Sequence, residues 1–180
     1  LASDDELAKI VEAEDISVYR GDANNLIDRH VGAAEKFNFD TLVRITGDCP
    51  FVDAEVLDSC LDMCTALDPF DLATTKGLFP IGIDLEVFSS AALKIISGST
   101  DLNDDHREHL TLYFYDHPEK YRIEKLAPQP KWRDDGREWT VDYWEDYKRA
   151  CRAVTELHGV ETRIEDLLSW TASDPNEETV

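Results

Sequence analysis

Short runs of β-branched and apolar residues alternate along this chain with segments whose apolar residues recur at helical spacing, and that alternation restricts the fold more than any other feature. The clearest unit starts at Asn24, where Leu26, Ile27, Val31, Ala33 and Ala34 mark a helix ending near Phe37. Ile16 to Arg20 reads as a short strand before it, and Thr41-Leu42-Val43-Arg44-Ile45-Thr46 as a strand after it. Ser3-Asp4-Asp5-Glu6 opens an earlier helix, with Ser3 as the capping residue three positions before Glu6. Asp53 caps a further helix carrying Val56, Leu57, Cys60, Leu61 and Cys64. Extended segments are expected over 71–76, 84–88, 121–126 and 138–141, and helices over 89–96, 105–116, 144–157 and 162–170. This order predicts an α/β sandwich with a mostly parallel sheet, whose functional residues lie just beyond the carboxyl ends of strands. The irregular stretches 77–83, 98–103 and 127–136 would frame a mouth at that edge.

With 180 residues, 42% of them hydrophobic, the chain suffices for a single domain with a substantial core. No apolar run approaches the roughly 18 residues of a membrane helix, and the acidic start over 1–14 lacks the pattern of a signal peptide. A soluble, cytoplasmic protein without a membrane partner is expected. The formal net charge of −21 argues against a nucleic-acid partner, since a phosphate backbone would be repelled. Cys49, Cys60, Cys64 and Cys151 are too scattered for a disulfide scaffold and read as free thiols. Cys60 and Cys64 stand one helical turn apart, but without a second ligand pair at zinc-site spacing they read as core residues.

The sharpest local signal is Gly47-Asp48-Cys49-Pro50 at the end of an apolar strand. Glycine permits a turn or close ligand approach and proline fixes the chain, so Asp48 leaves the strand on a rigid exit. Such a carboxylate suits Mg²⁺ bound to phosphate oxygens, because magnesium takes one or two acids beside phosphate and water. Taken alone, Asp48 and Asp53 read as residues that shape a turn and cap the next helix. A second strand, Glu138-Trp139-Thr140-Val141, also ends in an aspartate, Asp142, which is either a second metal ligand or a helix cap.

The run Val43-Arg44-Ile45-Thr46-Gly47-Asp48-Cys49-Pro50 is similar to a signature of the cytidylyltransferase family of sugar nucleotidyltransferases, the family that includes a spore coat polysaccharide biosynthesis protein. Four further stretches resemble it in the same order: Val18-Tyr19-Arg20-Gly21 with the helix after it, Gly82-Ile83-Asp84-Leu85-Glu86-Val87-Phe88, Arg107-Glu108-His109-Leu110-Thr111, and Trp139-Thr140-Val141-Asp142. The resemblance implies a three-layer, Rossmann-like nucleotidyltransferase fold that transfers a cytidylyl group from CTP to an acidic or other sugar. It further implies that Asp48 and Asp142 ligate Mg²⁺, and that Asp84, Glu86, Arg107, Glu108 and His109 line the acceptor-sugar side beside Arg44 and Thr46. Without it, Asp84-Leu85-Glu86 reads as a strand with alternating faces and Arg107-Glu108-His109 as the exposed first turn of a helix.

Two departures stand out. The family follows its last aspartate with Thr-Pro, where this chain has Tyr143-Trp144. The family also opens with an apolar strand and a Gly-, Arg- and Lys-containing loop that holds the triphosphate. Against that pattern the chain is expected to be one domain lacking its first strand and phosphate loop, with exposed apolar surface favouring a homodimer. Rival readings are a nucleotide-sugar-dependent glycosyltransferase, with Asp84-Leu85-Glu86 as its acidic metal motif, and a sugar-binding or assembly module without turnover. The tail over 162–180 resembles the family least.

The 39 acidic residues are spread along the chain against 18 basic ones, as on a solvated surface adapted to high salt. The melting temperature is therefore expected to rise between low and molar salt. An unchanged value would mark an ordinary acidic protein.

Overall fold

The computed structural model describes residues 2–127, 129–133 and 136–170, which fall into two compact units. The first unit comprises residues 1–42 and 88–122, and the second 43–87 and 123–180. The end of the tail, 171–180, lies outside the described residues, as do 128, 134 and 135 of the loop expected over 127–136.

The first unit is helical: α1 (Asp5–Ala13), α2 (Leu26–Phe37), α4 (Ser90–Ser97), α5 (Asp104–Glu108) and α6 (Leu112–Asp116). Helix α2 begins where the Asn25 side chain accepts from Asp28 N at 3.1 Å. It ends at Asn38 in the left-handed conformation, φ 57°, with Phe39 N donating back to Ala34 O. Its buried Ile27 and Ala34 pack toward α4, whose Leu93 and Ile96 are also buried, and Ser97 and Lys94 of α4 bond Asp28 and Glu35 on its outer face. At the start of α1, Ser3 is not the cap. It lies in a 3₁₀ turn, its hydroxyl donating to Asp4 rather than receiving a helix N–H, and Asp4 occupies the capping position. Residues 16–20 belong to no helix and pair with no strand among the described residues.

The helix expected over 105–116 is broken in two. Asn103 caps α5 by accepting from His106 N at 2.8 Å, and the chain leaves helical geometry at His109, φ −104° and ψ 80°, before α6 starts. His106 before the break and Leu110, Tyr113 and Phe114 after it are all buried.

The second unit holds α3 (Ala54–Thr65), α7 (Trp144–Glu156), α8 (Ile164–Ser169), β2 (Leu72–Thr74) and β4 (Ile123–Lys125). It also holds the ends Val43–Arg44 of β1 (Thr41–Arg44) and Glu86–Val87 of β3 (Glu86–Ser89). The strand order is β1-β3-β2-β4. Strands β2 and β4 are parallel, Leu72 beside Ile123 and Thr74 beside Lys125. Thr75 exchanges hydrogen bonds with Leu85, so the start of β3 lies beside the exit of β2 and the two run in opposite directions. The short link over 75–85 suits that arrangement, since parallel neighbours need a longer crossover. The sheet is thus mixed. Among the described residues, the segment expected as a strand over 138–141 makes one bridge, Ile81 to Glu138. Trp139 N donates to Ile81 O at 2.8 Å and Val141 N turns away to another loop, so no ladder forms.

The core of this unit gathers Val56 and Cys60 of α3, Ala73 of β2, Leu85 and Val87 around β3, Ala153 of α7 and Ile164 and Leu167 of α8, with Phe51, Phe79, Trp132 and Trp139 filling between them. Asp53 ties two of these elements together. Its Oδ1 accepts from Glu55 N at 2.7 Å and Val56 N at 3.4 Å at the head of α3, while Oδ2 accepts from Ile164 N at 3.0 Å at the head of α8. The residue is 5% exposed, so water cannot replace either bond. Asp53→Ala is expected to destabilise the protein by roughly 2–4 kcal/mol, a lost cap plus a buried N–H without a partner. Urea unfolding measures this, and a loss under about 1 kcal/mol would show that the cap alone matters.

Candidate active site

Within the second unit, the exit of β1, the turn after β2 and the entry of β3 enclose a cavity of about 200 Å³. It is lined by Arg44, Thr46, Asp48, Cys49, Lys76, Ile81, Gly82, Asp84, Glu86 and Thr140. Sites that engulf a whole drug-sized ligand run to roughly 300–1,000 Å³, so this one holds a group the size of a single sugar. Five of the residues expected from sequence, Arg44, Thr46, Asp48, Asp84 and Glu86, are brought together here.

Thr46 and Cys49 face Asp48: the Thr46 hydroxyl lies 3.1 Å from Cys49 Sγ, and that thiol donates to Asp48 Oδ1 at 3.6 Å. The Thr46 hydroxyl holds the Asp48 carboxyl below the usual aspartate range, against a smaller opposing effect of burial, with the Cys49 thiol and the Arg44 charge adding to it. Burial in turn pushes the Cys49 thiol up, which keeps it a donor. Asp84 is fixed by Gly82 N, which donates to its Oδ1 at 3.0 Å. Glu86 is buried between Arg44 Nη1 and Lys76 Nζ, each at 3.2 Å. It therefore does not join Asp84 as an open pair of carboxylates, which removes the main support for the glycosyltransferase motif.

The segment carrying Asp142 is pinned to the Asp48 loop, because Val141 N donates to Asp48 O at 2.8 Å. On its other side it crosses Gly82 at φ 87°, where a Cβ would stand 2.7 Å from Thr140 N and from the Trp139 carbonyl carbon. Only glycine admits that crossing. Asp142 does not cap α7. Asp146 reaches back to accept from Tyr143 N at 2.9 Å and Asp142 N at 3.2 Å, so the helix entry is closed by a side chain from its own first turn, with Trp144 at the first helical position. The Asp142 residue stays exposed.

Arg107, Glu108 and His109 belong to the first unit. Arg107 is half-buried and donates to Leu102 O at 2.9 Å, while Glu108 and His109 are exposed at the end of α5. The histidine packed inside is His106, which accepts from Asn103 N at 3.3 Å and bonds Asp116 at 3.0 Å. A larger cavity of about 390 Å³ in the first unit, lined by Leu7, Val11, Tyr19 and Arg20 among others, contains none of the expected site residues, and Arg20 there is tied to Asp5 at 2.5 Å. Lys76 was not anticipated from sequence. The signal was present: it follows the apolar strand Leu72–Thr74 by two residues, at the carboxyl end where ligand-binding groups collect.

A mixed sheet with Asp48 beyond the exit of β1 and Asp84 before the entry of β3 on one small cavity fits an α/β nucleotidyltransferase-like protein. The family model described as Cytidylyltransferase matches residues 1–162, and the chain belongs to that family. It is 35% identical over 153 residues to the spore coat polysaccharide biosynthesis protein SpsF of Bacillus subtilis, covering 81% of this chain and 62% of SpsF. It is 25% identical over 172 residues to the uncharacterized protein MJ1063 of Methanocaldococcus jannaschii, covering 96% of this chain and 70% of MJ1063. A cytidylyltransferase structure from Leptospira borgpetersenii superposes with a TM-score of 0.84 at 31% identity, covering 92% of this chain and 69% of that one. The chain thus spans less than two thirds of the length of SpsF. Among the described residues, no helix is long and apolar enough to cross a membrane.

An acid whose folded value is lowered stabilises the fold while ionised. That contribution is present above its ordinary value of 3.8 and is lost as pH falls through the lower folded value. Thr46→Val is expected to move the Asp48 titration, followed by carboxyl ¹³C shifts, upward toward 3.8. An unmoved titration would assign the shift to the other donors.

Proposed function

We propose that this chain carries the acceptor and metal side of a cytidylyltransferase that joins CTP to a sugar in surface polysaccharide synthesis. The observation that carries the reading is the junction of two aspartate-bearing segments: Val141 N on Asp48 O sets the residue before Asp142 against the residue expected to bind metal. The sugar hydroxyl attacks the α-phosphorus of CTP, a new P–O bond forms, and the bond to pyrophosphate breaks as the hydroxyl proton departs. Positioning and charge neutralisation supply most of the catalysis in such transfers.

Asp48 and Asp142 would hold Mg²⁺, which neutralises charge on the phosphates when bound. Asp48 fits that task because Thr46 and Cys49 keep its carboxylate ionised and oriented. Among the described residues, no group of three or more His, Cys, Asp or Glu side chains gathers that would hold a metal. Metal binding is therefore expected to depend on the nucleotide, as magnesium sites with few carboxylates do. Asp84, fixed on Gly82 N, offers its carboxylate to a sugar hydroxyl. Thr140 and Ile81 shape the wall beside it. The pathway follows from the likeness to SpsF, whose name assigns it to spore coat polysaccharide biosynthesis.

Calorimetric titration with CTP tests the reading, on this chain and on a form carrying the complementary N-terminal segment of a matched relative. Binding that requires Mg²⁺ and disappears in Asp48→Ala is the expected result. Without CTP binding in either form the reading fails, and retained sugar binding would then mark a module without turnover.

A further inference from the structure

Tyr143, Trp144 and Tyr147 stand 79%, 66% and 49% exposed at the entry of α7, although aromatic side chains are mostly buried on folding. Trp132 and Trp139 of the same unit are almost fully buried. The Trp144 and Tyr147 rings stack on each other, their centroids 5.1 Å apart and their planes 21° apart, and the Tyr147 hydroxyl bonds the thiol of the exposed Cys151. Residues 144, 147 and 151 follow one another by three and four positions, so they form one stripe along α7. At roughly 200 Å² for each ring, these exposures leave on the order of 400 Å² of aromatic surface in water. Patches of that size often mark an interaction site.

Charge selects what covers this one. Helix α7 carries Glu145, Asp146 and Glu156 against Lys148, Arg149 and Arg152, so it is neutral and the formal charge of −21 lies entirely outside it. Two copies of this chain repel each other over most of their surfaces, and least where α7 meets α7. A basic partner would be drawn instead to the acidic remainder. The order of charges along α7 is also self-complementary, with two acids in its first turn and three bases after them. Two such helices laid antiparallel set the acidic turn of each beside the basic turns of the other. The side chains of Glu145 and Lys148 are 78% and 52% exposed, so both can reach such a contact.

We propose that this face of α7 is an isologous interface, on which Trp144, Tyr147 and Cys151 of two copies pack together with the helices antiparallel. The inference does not depend on the cytidylyl-transfer reading. On the order of 400 Å² of aromatic surface from each copy is the low end for a specific interface, so the dimer is weak and depends on concentration. Tyr143 and Trp144 stand where the family carries Thr-Pro, which makes the contact a property of this chain and not of the family pattern.

Sedimentation velocity on the full chain over about 1 to 300 μM tests the interface, with self-association expected in the micromolar range. The dimer is expected to tighten about threefold or more between about 0.1 and 1 M salt, as screening removes the repulsion between two acidic bodies. Trp144→Ala should weaken it at least about tenfold, because each dimer loses two indoles, and Trp144→Phe should keep most of it. The residue is exposed and alanine favours a helix, so the alanine variant keeps its fold. Alkylation of Cys151 should slow as the parent chain is concentrated, and not in Trp144→Ala. Lys148→Glu should weaken the dimer at low salt, and Glu145→Lys in the same chain should restore it. A chain that stays monomeric to about 300 μM overturns the interface. So does a dimer that ignores Trp144→Ala and leaves Cys151 fully reactive, since it uses another surface. A dimer that loosens as salt rises is held by opposite charges instead of the rings, and overturns it as well. Loss in Trp144→Ala without any response to Lys148→Glu keeps the aromatic contact and overturns the antiparallel order.

Discussion

A carboxylate placed inside a sheet must be given partners or the fold does not close around it, and Glu86 is such a carboxylate. It sits at the first position of β3 with Arg44 at the last position of β1 on one side and Lys76 just past β2 on the other. Strand order places β3 between those two strands, so one buried charge fixes the ends of both its neighbours on the same edge of the sheet. The cavity exists at that edge because a charged cluster cannot be packed over by apolar side chains. Thr46, Asp48 and Thr140 from loops, and Gly82 with Asp84 at the entry of β3, surround it together with the apolar Ile45, Val52 and Ile81.

The second constraint is a backbone crossing. Gly82 lets residues 139 and 140 pass at a distance no side chain would tolerate, and Val141 N then reaches Asp48 O. The Asp142 segment is held by these contacts and by the Trp139 to Ile81 bond instead of by a strand ladder. Where a proline would pre-organise the entry of the following helix, Asp146 closes it from within the first turn. Loss of the proline is thereby offset locally, and Asp142 is left out of the cap.

Much of this was legible in the residues. Helix α2, the cap at Asp53, the β1 exit at Gly47-Asp48 and the first position of α7 all follow from periodicity and capping chemistry, which act within a few residues of one another. The misreadings share a cause: they needed information from distant parts of the chain. Residues 16–20 have the composition of a strand but join no strand among the described residues, where 138–141 makes a single bridge. The helix expected over 105–116 breaks at His109, where the regular spacing of Leu110, Tyr113 and Phe114 gives no sign of an interruption. Asp53 reads as a cap from sequence, but its second bond to Ile164 N spans 111 residues. Lys76 had only its place after the strand Leu72–Thr74 to mark it; its partner, Glu86, is ten residues on, at the start of the neighbouring strand.

The composition of the chain gives that lysine its meaning. Acidic surface is cheap in solvent, where the charges are hydrated and screened, so a formal charge of −21 says little about any one site. Burial reverses the weighting. Around Glu86 water is excluded and each nearby charge acts at lower effective dielectric, so two cations there influence the cavity more than many exposed carboxylates elsewhere. The same contrast separates Asp48 from the acids of the surface: its ionisation is set by a hydroxyl, a thiol and a guanidinium within the cavity wall. An acidic protein can therefore present a locally mixed-sign pocket, in which Arg44 and Lys76 stand among Asp48, Asp84 and Glu86.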